Sequence, residues 1–140
     1  MDIAIVGATG NVGRKTLEVL QQKNLNIDNL YLVASPNSAG KQLEFKGKKY
    51  SIENLETYDF SKAKITFFAA GGKISEQYAE KAAKHTTVID NSSYFRMDPD
   101  VPLIVPQVNA KDIQNMKKNI IANPNCSTAQ LVLALKPLHD

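Results

Sequence analysis

The sequence has little of what disulfide-bonded, zinc-bound or membrane-spanning proteins need. It contains one cysteine, which excludes an internal disulfide and a zinc site built from cysteine alone. No apolar run approaches the ~20 residues that span a bilayer. The first six residues lack the basic start, long apolar centre and cleavage site of a signal peptide. We therefore expect a cytoplasmic protein with no membrane partner.

An excess of charge of one sign is also missing. The formal net charge is +3, and the lysines form only short groups, at 46–49 and 117–118, with no aromatic residues among them. Such groups are typical of a solvated surface, so we expect no nucleic-acid partner. The 140 residues, 43% of them hydrophobic, contain no repeat or low-complexity tract and predict one globular domain.

A glycine-rich stretch near the start organises the rest of the chain. The spacing Gly7-x-x-Gly10-x-x-Gly13 follows an apolar run at 3–6 that predicts a buried strand. A helical pattern comes next, with predicted inward positions at Val12, Thr16, Leu17, Val19 and Leu20. Strand, glycine turn and helix predict a dinucleotide-binding unit, in which the helix N-terminus holds the pyrophosphate. Since Thr9 replaces the second glycine of the common G-x-G-x-x-G, a turn without ligand is the alternative.

The end of the second predicted strand, residues 30–34, bears on the choice of cofactor. In a dinucleotide fold this point faces the adenine ribose, where NAD proteins carry an acidic residue. The following loop has no acidic residue, which favours a 2′-phosphate and hence NADP. Its possible donors are Ser35, Asn37, Ser38 and Lys41. The alternative is an ordinary surface turn.

Strands and helices alternate through the remaining chain. We predict a hairpin over 42–52 that turns near Gly47, strands over 65–69, 87–90 and 120–122, and a short extended run over 103–105. Predicted helices cover 75–84 with Ser75 as cap, 110–116 with Asn109 as cap, and 127–138. In the first of these, Tyr78, Ala79, Ala82 and Ala83 point inward.

The order of these elements predicts a doubly wound, mainly parallel α/β sheet of the Rossmann type. Gly71 and Gly72 form a second glycine turn at the same edge, so both turns can bind one cofactor. Cys126 lies between the last strand and the last helix, whose N-terminus favours the nucleophilic thiolate. A buried cysteine that only fills space is the alternative, and the position favours a nucleophile.

Five segments resemble, in the same order, the motifs of the aspartate-semialdehyde dehydrogenase family. They are GATGNVG at 7–13, SAGK at 38–41, DNSSYFR at 90–96, DPDVPL at 98–103 and NPNCST at 123–128. The resemblance runs from the first strand to the last residue. It implies NADP-dependent reduction of L-aspartyl 4-phosphate, a step in the biosynthesis of lysine, threonine, methionine and diaminopimelate.

The resemblance also implies roles for individual residues. Cys126 would attack the acyl phosphate, release phosphate and hold an acyl-thioester, which hydride from NADPH would reduce to the semialdehyde. Arg96 would clamp the substrate phosphate with Asn91 as its companion, and Asn125 would help to hold the developing oxyanion. Many family members carry an arginine where this chain has Asn37. The implied cofactor-binding residues are Gly7, Thr9, Gly10, Asn11, Val12, Gly13, Ser35, Ser38, Gly71 and Gly72.

Length is the main departure from the family, whose members are more than twice as long. The family's general-base histidine lies downstream, and neither His85 nor His139 falls in its motif. We therefore expect residues 1–140 to be the NAD(P)-binding domain with the catalytic cysteine, without the substrate and dimerisation domain. We expect little turnover by this chain alone and a full-length parent that is a homodimer or higher oligomer. Alternatives are N-acetyl-glutamyl-phosphate reductase and a standalone nucleotide-binding module.

Overall fold

Short apolar runs that alternate with helices form a seven-stranded sheet in the computed structural model, which describes residues 1–139. The strands are β1 (Asp2–Val6), β2 (Asn29–Ala34), β3 (Gln42–Phe45), β4 (Lys48–Asn54), β5 (Ile65–Phe68), β6 (Thr87–Asp90) and β7 (Ile120–Ala122). Their order across the sheet is β3-β4-β2-β1-β5-β6-β7, and all neighbours are parallel except β3 and β4. The predicted doubly wound, mainly parallel sheet with a small hairpin is confirmed.

The chain changes direction across the sheet at β1. From β1 it runs outward to β2 and β4, and it then returns to place β5 on the other side of β1. Val6 at the end of β1 pairs with Val33 of β2 and Phe68 of β5. Ligands of open α/β sheets bind outside the carboxyl ends of the strands at such a switch point. The topology therefore places the loops after β1, β2 and β5 around one crevice.

Two long helices cover opposite faces of the sheet. The helices are α1 (Asn11–Gln22), α2 (Gly72–Ala83), α3 (Pro106–Asn109) and α4 (Cys126–His139). Leu17 and Leu20 of α1 pack on one face, and Ala79 and Ala82 of α2 pack on the other. Because successive strand residues point to opposite faces, strands covered on both sides are apolar at nearly every position. This double burial explains why the short runs were recognisable as strands.

Two of the five predicted inward positions of α1 are wrong. Val12 is 52% exposed and Val19 is 40% exposed, whereas Leu17 and Leu20 are buried. Both valines line a groove open to solvent, together with side chains of β5 and β6. The reason is that the apolar cluster beneath α1 is centred on β1 and β2, so the side of the helix nearer β5 is less covered.

The prediction of Ser75 as a helix cap is wrong. Helix α2 begins at Gly72 and its N-cap is Gly71, which has a φ of 87°. A φ in this range suits glycine because it lacks a Cβ. Ser75 lies in the first turn of the helix, fully buried, and its hydroxyl donates to Asp90 Oδ1 at 2.7 Å.

The predicted helix over 110–116 takes a different form. The turn α3 begins at Pro106, whose fixed φ suits the first position of a helix. A 3₁₀ helix over Ala110–Asn115 follows it. The side chain of Asn109 does not cap this segment, because its Oδ1 accepts from the backbone N–H of Val105 at 2.9 Å.

Helix α4 is the least covered of the three longer helices, α1, α2 and α4. None of its residues is buried, and its leucines are exposed, from 42% at Leu133 to 83% at Leu138. Across residues 1–139, no helix has both the length and the apolar character that a membrane crossing requires.

Candidate active site

A cleft of about 550 Å³ lies at the switch point of the sheet. Four of the predicted cofactor residues line it: Gly7, Thr9, Gly10 and Ser35. The sequence did not identify the facing wall, which is formed by Leu55, Glu56, Ile74, Gln77 and Tyr78. Leu55 and Glu56 directly follow β4, whose position beside β2 depends on the strand order. The cleft is therefore bounded by the carboxyl ends of β1, β2 and β4 and by the first turns of α2.

The three glycines of the first turn serve different purposes. A Cβ on Gly7 would lie 2.7 Å from the carbonyl oxygen of Ala69, and one on Gly13 would lie 2.1 Å from the carbonyl oxygen of Gly7. Both positions therefore need glycine for the packing of the turn itself. Gly10 has a φ of −76°, and the nearest atom to its Cβ would be 3.4 Å away. Its missing side chain leaves space in the cleft.

The N-terminus of α1 faces this space without a capping side chain. Gly10 is the N-cap, and the first turn carries no acidic residue. The N–H groups of a first helical turn lack intrahelical acceptors and attract anions. The open position at Gly10 and these donors together fit the pyrophosphate of a dinucleotide.

The other predicted cofactor residues lie around this cleft in different ways. Val12, Gly71 and Asn91 meet in a smaller groove of about 140 Å³, which also reaches Ser92. The backbone N–H of Ser38 donates to the carbonyl oxygen of Ser35 at 2.9 Å and shapes the loop after β2. Asn11 and Gly72 are the first residues of α1 and α2, and Gly13 is buried within α1.

Arg96 joins the loops that follow β6 and β7. Its Nε donates to the carbonyl oxygen of Asn123 at 3.0 Å, and its Nη2 donates to that of Asn91 at 3.2 Å. Asn123 Nδ2 in turn donates to Asn91 Oδ1 at 2.9 Å. A guanidinium has five N–H donors, so Arg96 can bind an anion while these two bonds anchor it. Asn123 was not predicted, although a polar residue directly after a strand was a usable signal.

Cys126 is exposed at the first position of α4, three residues after Asn123. The preceding Asn125 caps this helix, because its Oδ1 accepts from the backbone N–H of Ser127 at 2.9 Å. The NH₂ half of that amide is thus its donor towards a ligand. A helix N-terminus favours the thiolate form of a cysteine. His85 lies instead in a separate groove beside Tyr58 and Lys81.

An ion-pair network holds the segment after the Arg96 loop against α2. Lys118 Nζ donates to Asp98 Oδ2 at 2.9 Å and to Glu80 Oε1 at 3.0 Å. The hydrogen bond from Lys118 lowers the pKa of Asp98, and the two carboxylates raise the pKa of Lys118. Glu80 belongs to α2, so the network fixes the loop relative to the helix that borders the cleft.

A parallel sheet with a glycine turn at its switch point and uncapped helix termini at the same edge defines a dinucleotide-binding domain. The family described as "Semialdehyde dehydrogenase, NAD binding domain" matches residues 2–116. The chain belongs to this family, whose domain binds a dinucleotide of the NAD(P) type.

Relatives along almost the whole chain carry one enzyme name. The chain is 55% identical over 141 residues to aspartate-semialdehyde dehydrogenase of Aquifex aeolicus, covering 99% of this chain and 42% of that protein. Aspartate semialdehyde dehydrogenase II of Vibrio cholerae, solved in complex with ASA, has a TM-score of 0.96 and 49% identity, covering 99% of this chain and 46% of that one. The Candida albicans enzyme, solved with NADP, has a TM-score of 0.74 and 27% identity, covering 98% and 46%. This chain therefore spans less than half the length of these relatives.

Proposed function

We propose that this chain is the cofactor-binding, nucleophile-bearing part of an enzyme that converts L-aspartyl 4-phosphate to L-aspartate 4-semialdehyde. The observation that carries the proposal is the position of Arg96. Its guanidinium donates to the carbonyl oxygens of Asn91 and Asn123, and Asn123 lies three residues before Cys126. A cation for a phosphate and a thiol for an acyl group thus lie on neighbouring loops at the edge that bears the dinucleotide cleft. The names of the relatives support the same reaction.

In the first step the Cys126 thiolate attacks the carbonyl carbon of the acyl phosphate. A carbon–sulfur bond forms, the bond from that carbon to the phosphate oxygen breaks, and inorganic phosphate leaves. Arg96 binds the phosphate oxygens and balances the charge of the leaving group. Asn125 donates from its NH₂ group to the carbonyl oxygen as that oxygen gains negative charge.

Ser35 and Ser38 favour NADP as the cofactor, and Glu56 is the one acidic residue among 1–139 that lines the cleft. The chemistry that it supplies when bound is hydride donation to the thioester. The N-terminus of α1 at Gly10 would hold the pyrophosphate, and the N-terminus of α2 at Gly71 and Gly72 would supply further backbone donors to the cofactor. Ser35 and Ser38 follow β2 and are donors for a 2′-phosphate. The NADP-bound relative supports this choice.

The complete enzyme needs groups that the described residues do not supply. His85 lies in a separate groove, and His139 lies at the opposite end of α4 from Cys126, so we propose that neither is the general base. A general base commonly contributes ~10²- to 10⁴-fold, and we expect turnover by this chain alone to be lower by such a factor. We propose that the parent enzyme is a homo-oligomer that acts in lysine, threonine and methionine biosynthesis.

The half-reaction can be tested with this chain as it stands. We expect freshly prepared L-aspartyl 4-phosphate to form one acyl adduct on Cys126, detected by mass spectrometry and removed by hydroxylamine, with release of one phosphate. Cys126→Ser should form no such thioester, and N-acetyl-glutamyl phosphate should react more slowly. Labelling spread over lysines, or an adduct that persists in Cys126→Ser, would contradict the proposal.

A further inference from the structure

The buried carboxylate of Asp90 links the N-terminus of α2 to the loop that carries Arg96. Asp90 ends β6 and is fully buried. Its Oδ1 accepts from the Ser75 hydroxyl at 2.7 Å and from the backbone N–H of Ser92 at 3.0 Å. Its Oδ2 accepts from the Ser92 hydroxyl at 2.7 Å. Hydrogen bonds to a carboxylate are short and directional, so Asp90 fixes the relative positions of its three donors.

The two serines lie on different ligand-binding elements. Ser75 is in the first turn of α2, and its backbone N–H donates to the carbonyl oxygen of Gly71 at 3.2 Å. Ser92 follows Asn91, and its hydroxyl accepts from the N–H of Tyr94 at 3.2 Å, within the loop that carries Arg96. One carboxylate therefore holds both the cofactor-side helix terminus and the loop of the proposed phosphate site.

The backbone of Asp90 extends the link to the nucleophile. Its carbonyl oxygen accepts from the N–H of Asn123 at 2.8 Å, and Asn123 is a contact of Arg96. The segment from Asn123 leads directly to Cys126. A displacement of Asp90 would therefore also displace the Arg96 loop and the start of α4.

We propose that Asp90 is a positioning residue that sets the α2 terminus and the Arg96 loop at one fixed separation, with Ser75 as its contact to the cofactor side. The inference rests on the proposed function, since it assigns the cofactor and the phosphate to these two elements. Loss of the Ser75 hydroxyl weakens the binding of both ligands together, although Ser75 is buried and lines neither the cleft nor the smaller groove. If the α2 terminus and the Arg96 loop were positioned independently, the same change would weaken the binding of only one ligand.

The test compares Ser75→Ala with Thr66→Val in the 140-residue chain. Thr66 of β5 shares a buried hydroxyl–hydroxyl hydrogen bond with Thr86 at 3.1 Å, so Thr66→Val removes a buried, neutral side-chain hydrogen bond away from the site. Two affinities are measured for each variant. Calorimetry gives the Kd of NADP⁺, and protection of Cys126 from iodoacetamide gives the Kd of inorganic phosphate. Urea unfolding measures how much stability each variant loses, so that a general loss of stability can be separated from a loss of ligand affinity.

We expect Ser75→Ala to weaken both ligands by about threefold or more, within the range of mutations that alter coupling between sites, while Thr66→Val changes neither. Equal, unchanged affinities in both variants would overturn the inference alone. A wild-type chain that binds neither ligand would overturn the proposed function as well. If Ser75→Ala does not fold, Ser92→Ala decides: weaker phosphate protection supports the positioning role, and unchanged protection overturns it.

Discussion

At the scale of single residues, the cleft depends on the space beside Gly10 and on the charge of Glu56. Gly7 and Gly13 are required by neighbouring backbone atoms, whereas Gly10 leaves space in the cleft itself. The acidic Glu56 lies in the same cleft as Ser35, at the end proposed for the adenine ribose. Two sets of substitutions separate these effects from general damage to the fold.

The first set distinguishes ligand space from packing at the glycine turn. Gly10→Ala should leave the stability nearly unchanged, because its φ is ordinary and its Cβ meets no atom closer than 3.4 Å. It should weaken NADP⁺ binding by about 1 kcal/mol or more, roughly fivefold in Kd. Gly13→Ala should instead lower the free energy of unfolding by about 1–3 kcal/mol through overpacking. Calorimetry and urea titration measure the two quantities. Unaltered NADP⁺ affinity in Gly10→Ala would show that the pyrophosphate lies elsewhere.

The second set concerns the choice between NADP⁺ and NAD⁺. The Glu56 carboxylate repels a 2′-phosphate, so Glu56→Gln should raise the preference for NADP⁺ over NAD⁺ by about threefold or more. Glu44→Gln is the matched control, since Glu44 lies on β3 and lines a different groove. The Kd of each cofactor is measured at low salt, where screening is weak. An equal change in both variants would rule out a local effect of Glu56.

At the scale of elements, the Lys118 network fixes the segment after the Arg96 loop to α2. The pKa of Asp98 is lowered in the folded state, so its contribution to stability is complete above the ordinary carboxyl value of about 4 and is lost as the pH falls through the lower folded value. Lys118→Met should therefore lower the urea midpoint at pH 7, and this effect should shrink as the pH falls below about 4. Lys117→Met, which removes a single and more exposed contact to Asp100, should have a smaller effect. A loss that persists undiminished at pH 2 would indicate that packing of the lysine stem, rather than its charge, is responsible.

The elements also show what could be predicted from the sequence and why. The strands β1, β2, β5 and β7 were predictable because they are largely buried, which makes each run mainly apolar. Ser75 was misassigned because a local capping signal cannot reveal a distant partner such as Asp90. The wall formed by Leu55 and Glu56 was missed for the same reason, since only the strand order brings β4 beside β2. The site residues that the sequence predicts lie in the loops after strands or at the starts of the following helices.

At the scale of the whole molecule, one edge of the sheet carries every proposed function. The cleft, the Arg96 loop and the start of α4 all follow the carboxyl ends of parallel strands, and Asp90 connects the last two of these regions to α2. Helix α4 also exposes Leu131 and Leu135, which are four positions apart and so form part of an apolar stripe. The Aquifex aeolicus relative is more than twice as long as this chain, which covers 42% of it.

We propose that Cys126 is a nucleophile near an anion-binding site formed by the guanidinium of Arg96. Alkylation of Cys126 tests this proposal directly, with neutral iodoacetamide and anionic iodoacetate compared over a range of pH. The wild-type thiol should react with both reagents in the folded protein, because Cys126 is exposed. Arg96→Ala should lower the iodoacetate rate by about tenfold and the iodoacetamide rate much less, because the anionic reagent alone is attracted to the guanidinium. Arg14→Ala removes the chain's other arginine and should leave the ratio of the two rates unchanged. A thiol that reacts only after unfolding, or an equal loss with both reagents in Arg96→Ala, would contradict the account.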